Sequence, residues 1–533
     1  MRRNTWTKVI AMALSAIMML ACFAGCGDKK VAIEGTPTIK MYIPGLSIAN
    51  AQNLIDEIGV KAGIKLEMVE SGGGDTAAQR AALIITTGEK VHWVNLSDSQ
   101  PYKEWGEQGF LNDLTPYLEK YKDEVPTLYM LANDEMFKAM KGVNGETYVI
   151  PCINYVTNLG IRVNKEWLDT ANGGKVPETT EEVYEMLKNF KEKKVTRADE
   201  SPFIADGVAR FRWAFLAYGG QYLTGTNYPM YYENEKGQFE DYLISDMNKE
   251  ALKYVRKLYQ EGLVNADWRT ISGTSALNDR FIGGKAGMWY NSAGCDEQMY
   301  DAIGTTTVWP PAPKGPTGIQ SFGGFAPQWR VACIPASITD EAEILATLKF
   351  MEWMHSPEGR MLSVYGIQGR HYDINEKGEV YFNTDEFTAN RDNDFARVNG
   401  GSSPIEWGIV SPFKGYIEAD KYDTAYEAVA NVVRFPQVAR EPVDENYMGF
   451  VENINKYLDP YPYAAYISDE LKTACVGSNE VMTNFYADAI EKKDFDIDKE
   501  WPKFVEEYNK AGGTKSLEIF NDMVKTYGKV KLD

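Results

Sequence analysis

Ile39-Lys40-Met41-Tyr42-Ile43, Ile64-Lys65-Leu66-Glu67-Met68 and Val91-His92-Trp93-Val94-Asn95-Leu96 are three short apolar runs in one stretch of chain. In the second, Ile64, Leu66 and Met68 alternate with Lys65 and Glu67, the period-two pattern of a strand with one buried face. Residues 49–61 and Asp75 to Gly88, which separate the runs, read as helices. Strands alternating with helices predict an α/β lobe with a largely parallel sheet, because parallel neighbours need a crossover that a helix supplies.

Toward the N-terminus, Gly27 to Pro37 is a short polar tether. Before it, Arg2, Arg3 and Lys8 precede an apolar run from Val9 to Phe23, too short for a membrane span but suited to an export signal. The run ends in Phe23-Ala24-Gly25-Cys26, small residues ahead of a cysteine. This resembles the lipobox of bacterial lipoproteins and predicts cleavage before Cys26, whose thiol then carries lipid; Leu20-Ala21-Cys22 is a weaker candidate. The expected product lies outside the cytoplasm, held to the outer face of the membrane by its lipid alone.

Toward the C-terminus, Gly142 to Pro151 reads as a turn leading into a strand, and Asn158 to Val163 as a second extended run. Helices then dominate. Thr179-x-x-Glu182 is a capping box, followed by Val183, Met186, Leu187 and Phe190 on one helical face. Leu252, Val255 and Tyr259 repeat the pattern up to Gly262, as do Ile344, Leu348 and Met351. Ser356-Pro357-Glu358 opens another helix with Pro in its first turn, and a further helix follows Asp498 and stops at Gly512-Gly513.

With 533 residues the chain is too long for one core. A formal charge of −20 argues against nucleic acid, whose phosphates need clustered Lys and Arg. Twelve Trp and 32 Tyr suit surfaces that stack on flat ligands, although large aromatics also fill cores. Once Cys22 is cleaved off and Cys26 lipidated, Cys152, Cys295, Cys333 and Cys475 remain, scattered, with no Cys-x-x-Cys; buried thiols are expected, with one disulfide open as an alternative. No metal or cofactor is expected: the chain has three His, and Asp392-Asn393-Asp394 and Asp494, Asp496 and Asp498 lack the Gly and closing Glu of a calcium loop. Ser71-Gly72-Gly73-Gly74-Asp75 has neither a Gly-x-Gly-x-x-Gly pattern nor a following Lys-Ser/Thr, and reads as a loop rather than a phosphate cradle.

Several segments, taken in order, resemble the carbohydrate-binding solute-binding proteins of ABC importers. They include Gly109 to Pro116, Gly145-Glu146-Thr147-Tyr148 up to Pro151, Val163-Asn164-Lys165, Pro177 to Glu182, Leu258 to Leu263, Phe281 to Met288, Ala342 to Ser356 and Tyr365 to Gly369. That family often has Pro-Asp ahead of the third strand, where this chain has Lys90-Val91. The resemblance implies a two-lobed α/β fold of the periplasmic-binding-protein type, with a ligand cleft between lobes that close by hinge motion. It places a leader at 1–25, the lipidated cysteine and tether at 26–37, and one lobe at 38–152 plus about 318–365. The other lobe then takes about 156–315 plus 366–533, with a helical C-terminal extension, and residues 151–157 make the first crossing. It further implies a monomer that captures a carbohydrate, does no chemistry on it and passes it to permease subunits.

A sugar offers hydroxyl edges and weakly apolar ring faces, so Trp and Tyr beside Asn, Asp, Arg or Gln are the side chains to seek near such a cleft. The candidates are Trp93, expected near the C-terminal end of the third strand; Asn154 and Tyr155 at the first crossing, with Asn158; Arg210 and Trp213, with Tyr218; and Trp289 and Asn291, which face the same way in a strand. Trp329, beside Gln328, and Trp407 complete the set, with His371 and Tyr372 as weaker members. Core packing is the alternative for each aromatic. A peptide-binding lipoprotein and a secreted glycoside hydrolase are the competing functions; the first needs charges for peptide termini, the second two carboxylates about 5–10 Å apart.

Overall fold

β1 (Thr38–Tyr42), β2 (Lys65–Val69) and β3 (Trp93–Ser97) pair in parallel in the computed structural model, with β1 central: Ile39 lies opposite Leu66, and Met41 opposite both Met68 and Trp93. The structure describes residues 31–44, 51–71, 75–97, 101–153, 159–220, 230–271, 274–292, 299, 302–322, 328–381, 386–387, 389–390, 415–424, 427–428, 433–434, 456, 463 and 466–530. The leader, Cys26, Cys295, the glycines 72–74 and Asp392-Asn393-Asp394 lie outside them.

Helices Gln52–Ala62 and Asp75–Thr87 make the two crossovers. The first stops at Gly63, whose φ of 68° is left-handed and whose N–H donates to the Gly59 and Val60 carbonyls. Two strands from further along complete this sheet. β4 (Ile150–Ile153) and β11 (Gln328–Cys333) join antiparallel, giving the order β2-β1-β3-β11-β4.

The second sheet has the order β10-β5-β9-β6, built from β5 (Leu159–Asn164), β6 (Ser201–Ile204), β9 (Ala286–Ser292) and β10 (Thr307–Val308). β9 runs antiparallel to β5 and parallel to β6. A small hairpin, β7 (Tyr231–Glu233) with β8 (Phe239–Asp241), stands apart from it. Each sheet has its own core: one gathers Ile39, Val94, Ile150, Val331 and Leu348, the other Val163, Leu187, Phe203, Trp213, Leu252 and Tyr290. The architecture is thus two α/β lobes. The chain leaves the first after Ile153, enters the second at Leu159, and returns between Val308 and Gln328.

Side-chain caps set the helix starts. The Thr179 hydroxyl accepts from Glu182 N–H at 3.2 Å, while the Glu182 carboxylate turns back to Glu178 N–H at 2.8 Å. Helix Thr180–Lys193 then buries Val183, Met186, Leu187 and Phe190, the stripe its sequence spells. Ser356 caps helix Pro357–Tyr365 with its hydroxyl, which accepts from Gly359 N–H at 3.2 Å.

Residues beyond 365 divide their packing. The expected boundary gave all of 366–533 to the second lobe, and Met482, Tyr486, Trp501 and Phe504 do join its core. However, Ile367, Ile417 and Val530 rest against the first core. Ala139 of the first lobe shares a cluster with Tyr231, Phe239, Tyr466 and Phe520. The helix that opens at Ile497 ends at the expected glycines: the backbone stays helical past Tyr508 and breaks at Gly512, whose φ of 138° is not helical, and a separate helix, Thr514–Tyr527, begins after the kink. Gly512 is needed there, because at φ 138° a Cβ would sit 2.1 Å from the Ala474 carbonyl oxygen.

Candidate functional site

Strand register decides which side chains of the second sheet can act together. Gly160 lies opposite Asn291 and Arg162 opposite Trp289, so these four share one face, while Ile161, Val163, Met288 and Tyr290 line the core on the other. Leu159 lies opposite Ser292 and is the first strand residue after the crossing, so Asn291 and Ser292 sit at the end of the sheet nearest the other lobe. At the corresponding end of the first sheet, Arg330 pairs with Ser97 and Cys152.

Arg210 arrives on a short turn, Val208–Phe211, that follows β6. Its Nε donates to Asp206 Oδ1 at 2.6 Å and Nη2 to Oδ2 at 3.4 Å; Nη1 donates to Asn291 Oδ1 at 2.9 Å and to the Tyr290 carbonyl at 3.4 Å. The guanidinium lies 5.8 Å from the Trp289 ring centroid, within cation–π range. Arg210 and Asp206 keep 14% and 16% of their side-chain surface open, so the group is reachable but fixed. Arg210, Trp289 and Asn291 are therefore brought together, around an aspartate that the sequence did not single out.

Asp206 is held in turn. The buried Asn265 accepts from Ala205 N–H at 2.8 Å and donates to the Ala205 carbonyl at 3.1 Å, so its amide replaces a missing strand at the end of β6. Its Nδ2 also donates to Asp267, which pairs with Arg280 at 2.6 Å, and the Arg280 guanidinium pulls the Asp267 carboxyl below its ordinary range. Beside Trp289 in register, Arg162 is fully buried and stacks on Trp309 with 4.4 Å to the ring centroid. Neither Asn265 nor the Arg162–Trp309 stack carries a sequence signal; the four-residue spacing of Asp206 and Arg210 is the one clue to their pairing.

The other candidates are placed differently. Trp93 opens β3 rather than ending it; its ring is buried edge-on against Phe350 at 5.5 Å, and its Nε1 donates to Asn95. Trp213 is fully buried between Phe203 and Tyr254, with Tyr218 against Tyr254. The Trp289 ring itself is buried with Ile204, Leu277 and Phe281; beside it Asn291 is buried too, while Arg210 and Asp206 keep a little surface. Trp329 sits at the crossing end of β11. His371 is buried and accepts from Ile367 N–H, and Tyr372 packs on Tyr365. Asn154, Tyr155, Asn158 and Trp407 lie outside the described residues.

Burial, more than charge, sets the titration of groups around the crossing ends. It raises Tyr290 against the opposing pull of Arg212 and Arg210, pushes Tyr42 and Cys152 each up to about 12, and lowers Arg330. Cys152, Cys333 and Cys475 are buried. Among the described residues no three His, Cys, Asp or Glu side chains gather as metal ligands. Asp496 instead caps a helix, and Asp498 pairs with Lys253 at 2.7 Å. The group at β9 thus offers fixed donors on Arg and Asn, an acceptor on Asp and an aromatic neighbour, a set that can hydrogen-bond hydroxyl groups.

A family model described as bacterial extracellular solute-binding protein matches residues 53–371. The lipoprotein LipO of Bacillus subtilis is 25% identical over 398 residues, covering 69% of this chain and 74% of LipO. The fructooligosaccharide ABC transporter substrate-binding protein FusA of Streptococcus pneumoniae is 21% identical over 97% of this chain and 98% of its own length. Among solved structures, an HMO-binding ABC-transporter-associated solute-binding protein from Bifidobacterium longum infantis superposes with a TM-score of 0.66 at 19% identity, over 93% of this chain and all of its own.

Proposed function

The chain belongs to the family of bacterial extracellular solute-binding proteins, and on that footing we propose that it captures an oligosaccharide outside the cell by closing its lobes on it. The sugar then passes to the permease of an ABC importer. The observation that carries this reading is the Asp206–Arg210–Asn291 group beside Trp289, at the end of the second sheet that faces the crossing. Its planar polar groups are locked by one another, so they meet hydroxyls without first losing side-chain freedom. The fructooligosaccharide-binding relative, alignable over nearly the whole chain, supports the same ligand class. Cys26 ties the mature protein to the membrane in this reading, and Cys26→Ser abolishes its labelling by a fatty-acid probe.

The test is a thermal-shift screen of the mature chain, without Cys26, against mono- and oligosaccharides and short peptides. A ligand at 100 times its dissociation constant stabilises the fold by about 2.7 kcal/mol. A shift with oligosaccharides that is lost in Asn291→Ala supports the proposal. A shift with peptides alone makes the chain a peptide binder, and hydrolysis of the sugar makes it an enzyme; either refutes it.

A further inference from the structure

Resting on the carbohydrate reading, we infer that the site selects neutral sugars and rejects uronates, and that Asp206 is the residue that decides this. The guanidinium of Arg210 is the cation an acidic sugar would seek, and it is already spoken for. Its Nε–Nη2 edge, the one that grips a carboxylate in fork geometry, is held by both oxygens of Asp206, at 2.6 and 3.4 Å. Its Nη1 is taken by the Asn291 side chain and the Tyr290 carbonyl. Both partners of the pair show a similar small fraction of surface, so what a ligand meets is a carboxylate and a guanidinium together, with no net charge.

A hydroxyl suits such a pair, because it donates to Asp206 while accepting from an Asn291 N–H or from the second N–H of Arg210 Nη2, which the contacts above leave over. A uronate carboxylate can do no more than accept. It would have to displace Asp206 from Arg210, leaving a half-buried carboxylate unpaired, or sit beside it against like charge. Asn265 opposes the displacement, since it clamps Ala205, the residue before Asp206, through both its backbone groups. The chain's formal charge of −20 adds a long-range bias in the same direction. Asp206 acts here through its own charge on the ligand and through its hold on Arg210.

The experiment compares size-matched neutral and acidic trisaccharides by calorimetry on the mature chain. Kestose, maltotriose and raffinose serve as neutral probes and trigalacturonate as the acidic one. The expected result is a neutral trisaccharide bound at least ten-fold more tightly than trigalacturonate, with the ratio collapsing in Asp206→Asn, which frees the Arg210 charge, and surviving in Asp206→Glu. Trigalacturonate bound as tightly as the neutral sugars overturns the inference and leaves carbohydrate capture standing, as does an unchanged ratio in a folded Asp206→Asn. Binding of no carbohydrate at all overturns the function on which it rests. The comparison on the unaltered protein stands even if a variant fails to fold.

Discussion

Asn265→Ala removes one side chain and should unsettle both the second lobe and its site. Asn265 is buried and spends its amide on Ala205, whose N–H and C=O are buried too. Truncation leaves both backbone groups without that partner, where each unmet buried group costs about 1–3 kcal/mol. It also strips one hydrogen bond from Asp267, a lesser loss because Arg280 still holds that carboxylate. The expected destabilisation of the second lobe is therefore about 2–6 kcal/mol. Urea unfolding followed by tryptophan fluorescence reads it, since Trp213, Trp268 and Trp289 are all buried in that lobe. Asn265→Asp keeps the volume and one acceptor but aims a carboxylate oxygen at the Ala205 carbonyl, so it should recover little of the loss at neutral pH. A cost below about 0.5 kcal/mol for Asn265→Ala, the range of an ordinary surface change, would refute the idea that this amide holds the end of β6 and, through it, Asp206.

Asp241 gives a pH signature. Its buried carboxyl is pushed up to about 6, mainly by burial and against the hydrogen bonds from Tyr508 and the Leu243 N–H. A raised folded value means its contribution is fully present below the ordinary carboxyl range and lost as pH rises through about 6. Asp241→Asn should thus gain stability relative to the parent between about pH 4 and 6 and hold the gain above, by on the order of 2–3 kcal/mol; a flat difference across that window in denaturant titrations contradicts it. Glu352 accepts from the N–H groups of Thr127 and Leu128, each at 3.1 Å, capping a helix from a distant part of the chain. Glu352→Ala should cost about 1–2 kcal/mol by chemical denaturation. Cys152, whose thiol burial pushes up to about 12, and buried Cys333, raised in the same direction, should resist iodoacetamide in the folded protein and label fully in urea, as mass spectrometry would show; fast native labelling of either would contradict their burial.

The alternation of Ile64, Leu66 and Met68 and the stripe from Val183 to Phe190 set β2 and one helix of the second lobe without help, because a two-residue and a 3.6-residue period are properties of the local chain. Thr179-x-x-Glu182 marked a helix start for the same reason, since a cap involves neighbours in sequence. The equal facing of Trp289 and Asn291 was legible too, as a consequence of strand pleat. What lay opposite them was not. Arg210 is eighty residues from Tyr290, and no pattern along the chain states that β6 and β5 flank β9 on its two sides. Nor could spacing say that Trp93 and Trp213 are core, since a tryptophan reads the same whether its ring meets Phe350 or a ligand. Asn265 was invisible because its role is to satisfy a strand end made by distant pairing; the helix stop at Gly512 was legible, but not the close approach of the Ala474 carbonyl that admits no Cβ there. Local periodicity fixed the elements. The order of strands, which is a long-range choice among many compatible pairings, decided which side chains meet at the site.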